Sequence, residues 1–428
     1  MRRLGLACAL LVLAASSARA DDASPPGYDF TPVAKQLIAV ASCGGGQAPV
    51  PDGFPQARIA KHCAAIKKTQ EAYATGWLAI AKPWFAAHVP KDIPKKVVYP
   101  FAGGDLSTAL TVYPDADEIT TLSLEPAGDP RTLDMLRQQP GRVRPDAPGK
   151  SVAKPERKMA DANPDPDIDP IGTPPAIIKG KNGLDRALAV IQYELHFLYH
   201  VNFSNTLNMI DAMRGGQLPT QLVFGLSALQ VHGYEVVSLR YFKLAPDGQI
   251  EYLTDADVKK APDPLKGAAA KRNLIFANAE LRFRKPGGRI QIYRHIQVNL
   301  DDEHLNKDMR VIKHLELKGD IAGMTKAASY LLSWTGFSTI REYLIKHVVW
   351  MVSDATGIAP RWGVPAGFTY ETYGAFEKPH IGAGNNIAKD WREEWGREPR
   401  RELAFRFGYY DGTKAHSNHL VIMKRAAK

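Results

Sequence analysis

Residues 95 to 126 constrain the fold more than any other stretch. Val97, Val98, Tyr99 and Phe101 make a short apolar run with the composition of a buried strand. Gly103-Gly104 turns the chain. Asp105 predicts the N-cap of a short helix through Leu110 and Val112, which Pro114-Asp115 ends. Ile119, Leu122 and Leu124 form a second strand, closed by Glu125-Pro126. A strand, a turn, a helix and a strand make a crossover unit, and crossovers join parallel strands. The expected class is therefore α/β: a mixed, partly parallel sheet with helices on its faces.

The rest of the chain fits that class. Thr31-Pro32 reads as an N-cap and a proline at the first helical position. A helix with Ala34, Leu37, Ile38 and Ala41 on one face follows, and Gly44-Gly45-Gly46 stops it. A second helix aligns Ile59, Cys63, Ile66 and Tyr73. Residues 21 to 94 thus make a helical N-terminal element, and 95 to 428 the α/β domain. Residues 127 to 183 are rich in Pro, Asp, Gly and Lys and read as an exposed insertion. A long helix carries Leu184, Leu188, Ile191, Leu195 and Leu198, and another covers 220 to 231. Val237, Leu239 and Tyr241 begin a strand that turns at Asp247-Gly248. A second hairpin turns at Pro286-Gly287-Gly288 and returns through Ile290, Ile292, Ile296 and Val298. Two helices are expected over 321 to 333 and 337 to 352. A terminal antiparallel hairpin is expected from 403 to 409 and 419 to 424.

The first twenty residues give the chain an address. Arg2 and Arg3 precede the apolar run 4 to 15, and Ala18-Arg19-Ala20 is a signal-peptidase pattern before Asp21-Asp22. The run is too short to span a bilayer. Export to the periplasm or the cell exterior follows, with no transmembrane segment in the mature chain. Soluble cofactors are poor candidates there, and none is assigned. Of the three cysteines, Cys8 lies in the leader. Cys43 and Cys63 are expected to form one disulfide, worth about 3 kcal/mol on the chain-entropy estimate. The net charge of +10 includes three leader arginines. A basic surface suits an anionic envelope polymer. No basic-aromatic motif points to nucleic acid.

The chemistry-bearing candidates are few. Gly103-Gly104-Asp105 lies at the carboxyl end of a parallel strand, where open α/β sheets bind ligands. Glu125 lies about twenty residues beyond Gly104 and ends the next strand, the spacing of the acid that holds ribose hydroxyls in dinucleotide folds. The full Gly-x-Gly-x-x-Gly pattern is missing, and a tight turn with a cap explains the same residues. Arg341, Asp354, Arg361 and Tyr373 fall in a Trp-, Tyr- and Gly-rich region. They read as Arg–Asp pairing or as the lining of a substrate pocket with Trp362. His196 and His200 are four apart near Glu194, with His232 as a third candidate, but the His-Glu-x-x-His pattern is absent and no metal is assigned. Asp301-Asp302-Glu303-His304 reads as a negative helix start. His416-Ser417-Asn418-His419 reads as a hairpin loop.

Several blocks carry a resemblance. Tyr99-Pro100-Phe101-Ala102-Gly103-Gly104-Asp105, Tyr113-Pro114-Asp115-Ala116 and Leu124-Glu125-Pro126-Ala127-Gly128 are the first. Lys326 to Leu332, Phe337 to Arg341, Asp354 to Ile358 and Leu403 to Tyr409 are the later ones. Together they resemble an uncharacterised family of exported bacterial proteins. The resemblance spans roughly 97 to 424; it implies a domain boundary and no reaction. The element order is also similar to Rossmann-like methyltransferase domains.

Three expectations follow. The first is an exported protein with a small-molecule or glycan pocket at Gly103, Gly104, Asp105 and Glu125, in its enzymatic form a hydrolase with Asp105 and Glu125 as acid and base. The second is a non-enzymatic envelope-binding protein. The third is a nucleotide or S-adenosylmethionine binder.

Overall fold

A computed structural model describes residues 25–44, 49–138, 140, 181, 183–201, 218–263, 275–376, 385–397, 401–408 and 418–425. The leader, Gly45-Gly46, His416, Ser417 and most of the 127–183 insertion lie outside them.

The fold is α/β, built on one sheet of ten strands. In chain order these are β1 Lys96–Pro100, β2 Glu118–Ser123, β3 Glu235–Leu244, β4 Ile250–Tyr252, β5 Asn278–Arg284, β6 Gln291–Gln297, β7 Ile321–Thr325, β8 Val348–Ser353, β9 Phe368–Gly374 and β10 His419–Arg425. Their order in the sheet is β4-β3-β5-β6-β2-β1-β7-β8-β10-β9. The middle five, β6, β2, β1, β7 and β8, are parallel. Strands β3, β4 and β5 extend one side as antiparallel hairpins. On the other side β10 runs antiparallel between β8 and β9.

The parallel strands are covered on both faces, so they read as continuous apolar runs. Val97 and Tyr99 enter one core, while Val98 between them enters the other. The first core is closed by α1 (Thr31–Leu37), α2 (Gln56–Tyr73), α3 (Ala79–His88), α4 (Leu106–Val112), α5 (Thr132–Gln138), α6 (Gly183–Val201) and α7 (Thr220–Val231). The helical N-terminal element therefore shares its core with the sheet: Phe30, Leu37, Ile59 and Ile66 pack with Tyr99 and Tyr241 in one cluster. Arg240 of β3 also pairs with Asp29 ahead of α1. The second core is closed by the helices Arg310–Glu316, Ser338–His347 and Asn385–Arg397, through Leu315, Ile340, Leu344 and Trp391.

Cys43 and Cys63 are joined by a disulfide, with Cα atoms 5.1 Å apart. It fastens the five-residue π-helical continuation of α1 (Ile38–Ser42) to α2. No helix among the described residues is long and apolar enough to cross a membrane.

Four expectations need correction. Residues 321 to 333 and 337 to 352 are not two helices: each holds a strand, β7 and β8, beside shorter helical pieces. Ile321–Thr325 is buried on both faces, and a short all-apolar run has no periodicity to tell strand from helix. Residues 403 to 408 form no strand; the β-bridges of this stretch are single ones at Arg401 and Phe407, and β10 pairs with β8 and β9 instead. Thr31 is the first residue of α1 and not its cap; Asp29 Oδ1 accepts the Thr31 amide at 2.9 Å. The insertion begins later than residue 127, because α5 buries Leu133 and Leu136.

Candidate functional site at the sheet switch point

From β1 the chain crosses to β2 and then β6 on one side, and later to β7 and β8 on the other. The carboxyl ends of β1 and β7 thus mark the topological switch point, where doubly wound sheets bind ligands. Both loops there carry an unusual backbone. Phe101, just after β1, has φ +57°, and Ala327, just after β7, has φ +52°. Non-glycine residues held in this region cost about 1–3 kcal/mol each and cluster at functional sites.

The loop after β1 is clamped from α7. A Cβ on Gly104 would lie 2.4 Å from the Phe224 ring, so only glycine lets the helix approach this closely. Gln221 Nε2 donates to the Gly103 carbonyl at 2.5 Å and lies 3.4 Å from His295 Nδ1. His295 Nε2 in turn lies 2.7 Å from the Glu125 carbonyl oxygen. Burial lowers His295 to about 4, so its ring is neutral and Nε2 carries the donated proton. The ends of β1 and β2 are thereby linked through one amide and one imidazole.

Asp105 caps α4 and does more. Its Oδ1 accepts from the Thr108 hydroxyl at 2.6 Å and the Thr108 amide at 3.3 Å. Its Oδ2 accepts from Lys326 Nζ at 3.1 Å and from the Tyr99 hydroxyl at 3.2 Å. Lys326 is wholly buried, and its ammonium lies 5.1 Å from the centre of the Phe407 ring. Burial lowers the Lys326 pKa, while the charges of Asp105 and Asp354 oppose that shift. Burial, reinforced by Asp105, raises Tyr99 well above the usual phenol range.

Asp354, at the end of β8, holds the other loop. Its Oδ2 accepts the Ala327 amide at 3.0 Å, and its Oδ1 accepts the Thr356 amide at 2.9 Å and the Thr356 hydroxyl. Asp354 therefore fixes the left-handed turn that delivers Lys326.

Glu125 is fully buried at the end of β2, near Glu194 of α6. Burial first, and then the Glu125 charge, raise Glu194 to about 8. Glu194 therefore keeps its proton at neutral pH.

Asp105, Asp354, Gly103, Gly104 and Glu125 thus belong to adjoining networks at strand carboxyl ends. The other candidates do not join them. Arg341 donates to the Leu332 and Trp334 carbonyls and stacks on Trp362 at 4.4 Å. Arg361 is exposed and pairs with Asp390. Tyr373 stands on β9 against Trp84 and His88 of α3. Asp301 caps the helix Asp302–Lys307, as its sequence predicts. The His196 and His200 rings stack at 5.7 Å, His232 lies against Ser107, and no group of three metal-ligating side chains occurs among the described residues.

Sequence reasoning missed Lys326 and Tyr99. Lys326 falls in a stretch whose sequence predicts a helix, where one lysine is unremarkable. Placed at the end of a central buried strand, the same lysine stands out.

Comparison with protein-family models, with curated proteins and with solved structures returns no match for this chain.

Proposed function

We propose that this is an exported α/β protein that binds a small organic molecule or glycan unit at the switch point. The observation that carries this reading is the pair of left-handed non-glycine residues, Phe101 and Ala327, one after each of the two strands that meet at the switch point. Between them lies the Asp105–Lys326 ion pair. Asp105 already accepts from Thr108, Lys326 and Tyr99, which suits an orienting role more than that of a hydrolytic acid. Lys326 and Asp105 are both out of water, so we assign them to hold in place the two loops that meet the ligand. Export rests on the leader pattern of residues 1 to 20 and is supported by the disulfide. N-terminal sequencing of the protein recovered from outside the cytoplasm should begin at Asp21.

The binding test is a thermal-shift screen of the mature protein against monosaccharides, oligosaccharides and nucleosides, followed by calorimetry on any compound that stabilises it. Binding should vanish in Lys326→Gln and weaken in Asp105→Asn, in samples shown to be folded by circular dichroism. A compound bound equally well by both variants would place the site elsewhere.

A nucleotide or S-adenosylmethionine ligand is the second reading. It is favoured by the third-second-first-fourth-fifth order of the parallel strands and by an acid ending the second. Titration with S-adenosylmethionine and adenosine separates it from the first: absence of heat removes it.

A further inference from the structure

We propose a second binding site in the cleft beside the Cys43–Cys63 disulfide, for a zwitterionic ligand of dipeptide size or somewhat larger. The cleft has a volume of about 650 Å³ and is lined by Cys43, Lys67, Gln70, Glu71, Gln230 and Tyr234, among others. That volume lies within the range of small-molecule sites. The cleft lies between α2 and the turn that leads from α7 into β3.

Its walls carry a complementary set of groups. Lys67 and Glu71 are one turn apart on α2, so their charges stand over the same wall. Among the described residues neither takes an ion-pair partner, although this spacing favours one between them. Gln70 is used internally: its Nε2 donates to the Ser42 carbonyl and the Ser227 hydroxyl, each at 3.0 Å. Gln230 is different. Its Nε2 is buried and has no acceptor. Such a donor loses its water without a replacement unless a ligand supplies one. The Gln230 amide is seated against Gly44, where an added Cβ would lie 1.9 Å from Oε1. Tyr234 forms the floor: its ring is buried, with Lys285 Nζ 4.2 Å from its centre.

A short peptide matches this arrangement. Its carboxylate meets Lys67 and its ammonium meets Glu71, and a backbone carbonyl accepts from Gln230 Nε2 once that side chain turns from Gly44 toward the cleft. The termini of a dipeptide are separated by about one helical turn, the rise between Lys67 and Glu71. The disulfide holds the Cys43 wall in place.

The test is calorimetric titration of the mature protein with glycylglycine and with its N-acetylated, C-amidated form. Glycylglycine should bind saturably and the blocked form should not. Lys67→Gln and Glu71→Gln each should weaken binding roughly two- to fivefold, the range for an exposed charge contact. Both residues are exposed, so these variants test the site without disturbing the core. Gln230→Met should also weaken binding. No saturable binding, equal affinity for the blocked form, or wild-type affinity in both charge variants would overturn the proposal.

Discussion

Lys326 and Asp105 meet across the central seam of the sheet, Nζ to Oδ2 at 3.1 Å, with both side chains out of water. One follows β7 and the other follows β1, so the pair ties together the two halves of the parallel sheet. Removing one partner strands the other charge. Lys326→Met should lower unfolding free energy by about 3–5 kcal/mol. The double variant Asp105→Asn, Lys326→Met should recover most of that loss. Urea denaturation of the three proteins checks this, and a double variant no more stable than Lys326→Met would show that the lysine acts through something other than this pair.

The left-handed turn at Ala327 offers a cleaner test of strain. Its side chain is one methyl group, and φ is +52°. Ala327→Gly should stabilise the protein by about 0.5–1 kcal/mol, because glycine adopts this backbone freely. If the turn holds Lys326 for a ligand, the same change should weaken binding of any compound found by the screen. Equilibrium unfolding and calorimetry read the two effects separately.

Acid should destabilise the fold through buried histidines. Burial first of all lowers His232 to about 3 and His295 to about 4, from an ordinary value of 6.5. Between those values the unfolded chain binds protons that the folded chain refuses. Their contribution to stability is thus complete above pH 6.5 and is lost as pH falls through 4. His295→Asn should flatten that part of the curve of urea midpoint against pH.

Alkali should act through Glu194. Its folded value of about 8 lies above the ordinary 4.5. The folded protein keeps a proton that the unfolded chain releases, so this contribution is full below pH 4.5 and lost as pH rises through 8. Glu194→Gln should remove the decline between pH 4.5 and 8. An unchanged decline in that variant would assign it to other groups.

The disulfide should contribute measurably. Cys43 and Cys63 are 20 residues apart, and closing such a loop is worth about 3 kcal/mol. The Cys43→Ser, Cys63→Ser protein should unfold at correspondingly lower urea. The mature wild-type protein should show no alkylatable thiol until it is reduced.

Much of this architecture was legible because local signals agreed with the fold. Asp105 reads as a cap and is one; Asp247-Gly248 and Pro286-Gly287-Gly288 read as turns and join antiparallel strands. The failures fall where tertiary burial overrides pattern. Ile321–Thr325 and Val348–Ser353 are buried on both faces, so neither alternation nor helical spacing marks them. That loss hid Lys326, and with it half of the candidate site. The Gln221–His295 link between Gly103 and Glu125 was also invisible, because its members are separated by 74 residues in sequence and meet only when the sheet forms. The acid pair Glu125 and Glu194 was missed for the same reason.

The placement of β10 bears on how the molecule can assemble. This segment, 419–425, fills an inner slot between β8 and β9, with both of its edges hydrogen-bonded. Among the described residues β9 finds its one long pairing there, so it waits for a partner made some fifty residues later. Until that partner arrives, β8 presents an open edge, the feature by which unfinished sheets recruit neighbouring chains. A nascent or clipped molecule lacking those seven residues is thus the form most prone to self-association.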